Sequence, residues 1–480
     1  MLTVADLLEA LCDVRPEWAT QVITEATIDS RQVIPGSMFI ALPGERTDGH
    51  DFIEDAFRRG AILALIQKDV VLNYATLVIR DRSVAQSILK QPEMPRGLES
   101  PFCLRVDDTL KALQMAARYW RRKLDVKVIG ITGSVGKSTT KELITEVLSQ
   151  RYTTLKNPGN LNNEIGLPLT LLSLSEGHER AVLEMGFYVP GEIAFLCDLA
   201  LPHIGVVTNI GTVHAERAGS IEVIARGKSE LVQALPPSPE GVAVLNKDDP
   251  LVREMALKTS ARVFYYGLDS HADIWADNVE SLGLEGVRFQ LHYKNEVIHL
   301  RVPLIGRHSV HTALRAAAVG LLEGLTWQEI VRGLRSGTTQ LRLVAVRTEQ
   351  GALILDDTYN ASPESTLAAL NLLEELEGIK VAVLGDMLEL GPYEEQGHEI
   401  VGRRVAEVVQ ELICVGLRAR IIAQAAVKAG LSKSVIHQFT NGQEVIEYLR
   451  PRLKSDNVVL VKGSHGMHMD RIVNALEAQP

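Results

Sequence analysis

The sequence predicts an α/β protein of three domains: a small N-terminal α/β domain, a central mostly parallel sheet built on a phosphate loop, and a C-terminal Rossmann-like domain. Three observations carry this. The chain has 480 residues, room for about three domains at roughly 100–200 residues each. Short apolar runs alternate with helical stretches over most of its length, the pattern of βαβ units and a parallel sheet. A glycine-rich loop within Gly130-Ile-Thr-Gly-Ser-Val-Gly-Lys-Ser-Thr-Thr140 joins a β-branched strand at Val128–Thr132 to a helical stretch reaching about Gln150.

The first block covers residues 1–98. Met1–Asp13 reads as a short amphipathic helix; it carries Asp6 and Glu9 and no basic leader, so it is not a signal peptide. Strand-like runs follow at Met38–Leu42 and Ala61–Ile66, and the stretch Gln91–Pro101, with its three prolines, reads as a linker. The second block, 102–335, adds strand-like runs at Ala181–Met185, Gly205–Thr208 and Val242–Leu245. The third, 336–480, alternates runs at Leu353–Leu355, Lys380–Leu384, Leu412–Val415 and Val458–Val461 with helices. One of those helices starts at Ser362-Pro363, an N-cap followed by proline at the first helical position. The block lacks the dinucleotide glycine fingerprint.

Composition removes several function classes. Hydrophobic residues at 46% and charged residues at 23% are ordinary for a globular chain. A net charge of -10, with basic and acidic residues interleaved, argues against a nucleic-acid partner, because phosphate contacts need clustered Lys and Arg. No apolar run reaches the roughly 18 residues that membrane insertion needs. Cys12, Cys103, Cys197 and Cys414 lie far apart, which fits buried thiols in a reducing compartment. A cytoplasmic protein is expected.

The loop departs by one position from the Walker pattern, since Ile131 stands where a glycine is required five residues before Gly136. Its core, Gly133-x-x-Gly136-Lys137-Ser138, keeps the chemistry. Glycines let backbone N–H groups approach phosphate oxygens, and the helix N-terminus adds positive potential. Lys137 is placed to bridge β- and γ-phosphates, and Ser138 to ligate Mg²⁺. Glu184 closes an apolar strand at the sheet end where catalytic groups collect; it reads as a Mg²⁺ ligand or as a solvated edge residue. His214 follows a similar strand and turn. Lys228 is more informative. Ser220 caps a helix running to about Leu235 whose apolar face holds Ile221, Ile224, Ala225, Leu231, Val232 and Leu235, with Lys228 in its middle. A lysine there must snorkel, pair, lower its pKa, or take up CO₂ as a carbamate that offers anionic oxygens to Mg²⁺.

Taken in order, these segments resemble the Mur ligase family. The resemblance rests on Thr132–Ser138, Asn157-Pro-Gly-Asn-Leu-Asn-Asn163, Glu184-Met-Gly186, Asn209-Ile-Gly-x-x-His214 and Gly219–Lys228. It continues through Gly306-Arg-His308, Asp356-Asp-x-Tyr-Asn-Ala361, Leu384-Gly-Asp-Met387 and Lys462-Gly-Ser464. In the N-terminal block, Asp29-Ser-Arg31, Pro35-Gly36 and Asp48-Gly-His50 match the elements of the D-alanyl-D-alanine-adding branch that recognise a UDP-sugar.

The resemblance implies an ATP-dependent amide ligase of peptidoglycan precursor synthesis. It would join D-Ala-D-Ala to UDP-MurNAc-tripeptide through an acyl phosphate and release ADP and phosphate. It implies ATP at Thr132, Gly133, Ser134, Val135, Gly136, Lys137, Ser138, Thr139, Asn162, Asn163, His308, Arg342 and Asp357. It implies two Mg²⁺ ions at Ser138, Glu184, His214 and Lys228, with Lys228 carbamylated, and catalytic roles for Lys137, Lys228 and His214. Substrate contacts fall on Ser30, Arg31, Asp48, Gly49, His50, Tyr359 and Asn360. The first block would bind the UDP-sugar, the second ATP and the third the dipeptide, in a monomer that closes over its substrates. Ser309, Thr312, Ser362 and His465 depart from residues frequent in the family. The nearest alternatives are a diamino-acid-adding ligase or a folylpolyglutamate synthase of the same superfamily. Asp356–Ala361 disfavours the first and the N-terminal block the second.

Overall fold

A computed structural model describes residues 1–44, 47–70, 74–79, 82–95, 98–336 and 344–478. The chain divides into two compact units: Met1–Gly130 with Tyr152–Gly186 and Ala194–His203, and Ile131–Arg151 with Phe187–Ile193 and Ile204–Pro480.

In the first unit five parallel strands run in the order Ala26–Thr27, Met38–Ile40, Leu63–Ile66, Phe102–Arg105, Thr76–Val78. The strand Phe102–Arg105 therefore belongs to this sheet, and the proline-rich stretch before it is a connection inside the fold. Composition does not separate such a loop from an interdomain linker, because both need chain-breaking residues. The predicted N-terminal helix forms at Val4–Cys12, started by a capping box between Thr3 and Asp6. Asp6 also accepts from Arg15 at 2.5 Å and from Lys123 at 3.0 Å. Burial would raise its pKa, but these donors prevail and hold it at about 2. Lys123 ends the helix Thr109–Lys123. On that helix Arg121, 4% exposed, donates to the carbonyls of Ala200, Leu124 and Val126 at 2.7–3.0 Å.

In the second unit the strands Ile204–Val207, Val242–Asn246, Arg262–Gly267 and Ile274–Ser281 are parallel neighbours. Val287–Tyr293 and Glu296–Val302 then extend them antiparallel. This hairpin is absent from the sequence reading. Its outer positions are polar (Arg288, His292, Glu296, His299, Arg301), and its packing comes from cross-strand pairs such as Trp275 stacked on His292 at 3.8 Å.

The last sheet runs Val344–Arg347, Leu353–Asp357, Asn457–Lys462, Ile379–Gly385, Glu411–Val415, Ile436–Phe439, all parallel but the first pair. Leu355, Ala382, Leu384 and Leu460 face one layer of helices, and Ile354, Val383, Val459 and Val461 the other, as a parallel sheet covered on both faces requires. The helix Pro363–Glu375 starts at the Ser362 cap as predicted. All four cysteines are buried. No helix among the described residues is long and apolar enough to cross a membrane.

Arg121, itself buried, donates to three backbone carbonyls. Arg121→Met is expected to cost about 2–4 kcal/mol of stability, seen as a lower urea midpoint with an unchanged slope; an unmoved midpoint would refute its structural role.

Candidate active site

The strand Lys127–Thr132 ends in the phosphate loop, and the helix Lys137–Leu148 begins directly after Gly136. The loop needs both glycines. Gly133 has φ +146° and a Cβ there would stand 1.8 Å from Thr208 Oγ1; Gly136 has φ +81°. The neighbouring segment Thr208–Gly211 holds the loop from outside. Val135 N donates to Asn209 Oδ1 at 2.9 Å, Ser134 N to the Asn209 carbonyl at 2.9 Å, and Gly211 N to Ser134 Oγ at 2.8 Å. Thr208 Oγ1 donates to the Val135 carbonyl at 2.8 Å.

Two ammonium groups gather on this loop. Lys137 Nζ donates to the carbonyls of Gly133 at 2.8 Å and Ser134 at 3.3 Å. Lys228 sits on the helix Ile221–Gln233 and is 1% exposed. It donates to the Gly133 carbonyl at 2.9 Å and lies 4.7 Å from the Phe187 ring centroid. The predicted helix, its Ser220 cap and the burial of Lys228 are thus all present. His214 stands at φ +69° ahead of the short helix Ala215–Ala218. Its Nδ1 lies 2.7 Å from Glu389 Oε2 and its ring is edge-on to Tyr188 at 4.8 Å. Burial, then the charges of Lys137, Lys228 and Arg217, push its pKa down to about 3. The opposing charge of Glu192 offsets them only in part. The ring is therefore neutral, with Nδ1–H donating to Glu389 and the Nε2 lone pair left to accept, the tautomer that suits a metal ligand.

Beside the loop lies a cavity of about 170 Å³ lined by Ser134, Val135, Gly136, Thr139, His308, Thr312, Asp357, Tyr359, Asn360 and Lys462, with Ile305, Ala368, Ala369 and Leu372 as its apolar wall. Asp357 and Lys462 are register partners at the ends of adjacent parallel strands. Lys462 Nζ, 2% exposed, donates to Asp357 Oδ2 at 2.6 Å and to the Asn360 carbonyl at 2.8 Å. His308 keeps one edge in solvent. The protein packed around its ring, with His311, Arg315 and Lys462, pushes its pKa to about 4. Arg342 lies outside the described residues.

The other predicted residues belong to the first unit. Glu184, 2% exposed, ends the strand Arg180–Glu184. Asn157 ties down its backbone on both sides, accepting from Glu184 N at 2.9 Å and donating to Glu184 O at 3.1 Å. Asn162 Nδ2 donates to its carboxylate at 3.0 Å. Asn163 instead accepts from the backbone N–H of Gly166 at 2.9 Å, at the start of a helix. Asp48 accepts from His50 Nδ1 at 2.6 Å and from Lys68 at 2.6 Å, while His50 Nε2 accepts from Gln67 N. Gly49 must be glycine, since a Cβ would stand 2.8 Å from the Leu42 backbone. Arg31 pairs with Asp29 at 2.8 Å and Ser30 is buried. Among the described residues no hydrogen bond joins the Asp29–Arg31 cluster to the Asp48–His50 cluster. Glu389 and Thr208 escaped the sequence reading. Their work depends on chain segments far from them in sequence, which leaves no local signal.

Three family models match: "Mur ligase family, catalytic domain" over 22–121, "Mur ligase middle domain" over 131–320, and "Mur ligase, glutamate ligase domain" over 341–465. The UDP-N-acetylmuramoyl-tripeptide–D-alanyl-D-alanine ligase of Bacillus subtilis is 36% identical over 470 residues, 97% of this chain and 95% of that one. A crystal structure of MurF from Acinetobacter baumannii superposes with TM-score 0.81 at 31% identity, covering 99% and 98% of the two chains. MurF from Thermotoga maritima in complex with ADP gives 0.77 at 28% identity over 94% and 96%.

His214 and His398 set a pH dependence. His398 is fully buried; its Nε2 accepts from Met387 N and its Nδ1 lies 2.6 Å from the Glu394 carbonyl, so it too is neutral, and burial lowers its pKa. The folded state refuses protons that the unfolded chain accepts below about 6.5. Stability of the metal-free protein is therefore expected to be full above pH 6.5. It should fall between pH 6.5 and 4.5 with up to about 1.4 kcal/mol per pH unit for each histidine. Urea unfolding across that window measures it, and a flat profile would refute it.

Proposed function

The chain belongs to the Mur ligase family, and we propose that within it this chain joins D-alanyl-D-alanine to UDP-N-acetylmuramoyl-tripeptide at the cost of ATP. The near-complete match to the Bacillus subtilis ligase of that name carries the reading. The geometry supplies the means. The tripeptide's free carboxylate is a poor acyl donor, because its oxygens are poor leaving groups. Attack of a carboxylate oxygen on the γ-phosphorus breaks the bond to the β-phosphate oxygen and gives ADP and an acyl phosphate. The dipeptide amine, once deprotonated, adds to the acyl carbon. The tetrahedral intermediate then expels phosphate and leaves the amide.

Such transfer rests on positioning and charge neutralisation. The phosphate loop presents its N–H groups and Lys137, whose ammonium exchanges peptide carbonyls for the stronger phosphate acceptors. We assign the nucleotide to Thr132–Thr139, His308, Asp357, Asn162, Asn163 and Arg342, the dipeptide side to Tyr359 and Asn360, and the UDP-sugar to Ser30, Arg31, Asp48, Gly49 and His50. A three-domain division with a boundary near 336 is proposed on the same basis, its first domain extended past 98 through the strand Phe102–Arg105, as are a monomer and a cytoplasmic location.

Mg²⁺ would be held by Ser138, Glu184, His214 Nε2 and Lys228, and when bound it neutralises charge on the transferring phosphoryl group. As an ammonium, Lys228 is no ligand. Glu184 is then the one carboxylate of the set, and a further anionic donor would strengthen it. Neutral Lys228 Nζ adding CO₂ with loss of a proton supplies it.

Phosphate release from ATP with UDP-MurNAc-tripeptide is expected only when D-Ala-D-Ala is added, with a UDP-pentapeptide product. Release with diaminopimelate or with folate plus glutamate instead would reassign the substrate. Lys228→Ala is expected to lose at least about 100-fold in kcat, with partial rescue by a short carboxylic acid; full activity in the variant would exclude the carbamate.

A further inference from the structure

The helix Ser309–Leu322 is buried on nearly every side and carries one cation, Arg315. The residue is 4% exposed. Its guanidinium lies behind the phosphate loop, where a Cβ on Gly136 would stand 3.4 Å from Nη2. Nη2 donates to Thr312 Oγ1 at 2.7 Å and Nη1 to Tyr266 OH at 3.2 Å. Both acceptors are neutral. Nε is buried and finds no acceptor among the described residues.

No carboxylate lies within ion-pair distance of Arg315 among the described residues. The two nearby acids are committed elsewhere. Asp248 accepts from His311 at 2.7 Å and from the N–H groups of Leu268 and Asp269. Asp249 accepts from the N–H groups of Ile210, Leu251 and Val252. The Tyr266 ring, with its centroid 5.5 Å from the guanidinium, is a weak substitute for a counter-ion. A buried cation so poorly matched is costly unless an anion completes it. Gly136 and Thr312, the groups it touches, both line the nucleotide cavity.

We propose that Arg315 is a positioning residue for the nucleotide's phosphates, a buried cation behind Gly136 whose counter-charge is the polyphosphate itself. It rests on the reading of the cavity as the ATP site. It acts through the loop and through the Thr312 hydroxyl, which accepts from it and keeps its own O–H to donate to a phosphate oxygen. The field of a fixed, dry cation reaches further than that of a solvated lysine. Affinity should therefore rise with the number of phosphates on the ligand.

The test titrates ATP, ADP, AMP and adenosine into wild type, Arg315→Met, Arg315→Lys and Arg315→Gln. ATP binding by wild type checks the underlying reading. Given that, Arg315→Met is expected to weaken ATP and ADP about tenfold and adenosine less than twofold, and to flatten the salt dependence of ATP binding. Arg315→Lys, which keeps the charge, should recover most of the loss. Arg315→Gln, which keeps hydrogen-bonding groups without the charge, should not. Should Arg315→Met fail to fold, the Lys and Gln variants decide alone. Equal weakening of all four ligands, recovery by Gln as well as by Lys, or unchanged ATP binding would each overturn the proposal. Wild type binding none of the four would instead remove the ATP reading.

Discussion

A phosphate loop has to point several backbone N–H groups at one place, and a peptide chain resists doing so. The conformation that achieves it here places Gly133 at φ +146° and Gly136 at φ +81°, and it leaves the loop without a regular hydrogen-bond ladder of its own. Stability is lent by the next strand's end. Thr208, Asn209 and Gly211 take up the loop's polar groups, and Asn246 and Tyr266 in turn fix the Thr208 carbonyl. Three cations of the site are positioned relative to that frame. Lys137 and Lys228 share the Gly133 carbonyl, and Arg315 backs Gly136. A shift in Thr208–Gly211 would therefore move all three charges together.

The electrostatic design follows from the same crowding. Lys137, Lys228, Arg315 and Lys462 are concentrated around one loop and one small cavity, and Lys462 carries the Asp357 carboxylate. The histidines among them stay neutral because burial, and then the neighbouring positive charges, disfavour protonation. A neutral His214 is an electron-pair donor, and its Glu389 contact decides which nitrogen donates. The clustered ammonium and guanidinium groups suit a polyanion, while the His214 lone pair suits a cation.

Much of this was legible in the sequence, and the exceptions have physical causes. Strands such as Val242–Asn246 and Asn457–Lys462 are buried on both faces and read as continuous apolar runs. Ser220 and Ser362 announce their helices through capping chemistry, which is local. Lys228 stood out because the helix Ile221–Gln233 has a polar face against which one misplaced charge is visible. Arg315 is equally misplaced, but its helix is buried almost all round, so no periodic contrast marks it. The hairpin Val287–Val302 hid because its outer positions are polar, and Phe102–Arg105 because a proline-rich loop before a strand resembles a linker. Glu389 and the Asp357–Lys462 pair are products of topology, joining residues 175 and 105 positions apart.

The Asp357–Lys462 pair also bears on how the protein is made. The strand Asn457–Lys462 follows every other strand among the described residues, yet it lies between Leu353–Asp357 and Ile379–Gly385, in the interior of its sheet. While the chain is still emerging from the ribosome, those two neighbours have no partner between them. Both faces of the sheet and the wall of the nucleotide cavity that carries Lys462 wait for one final insertion. The nucleotide site is therefore withheld until synthesis has passed Lys462, and a product terminated before that residue lacks this wall of the cavity.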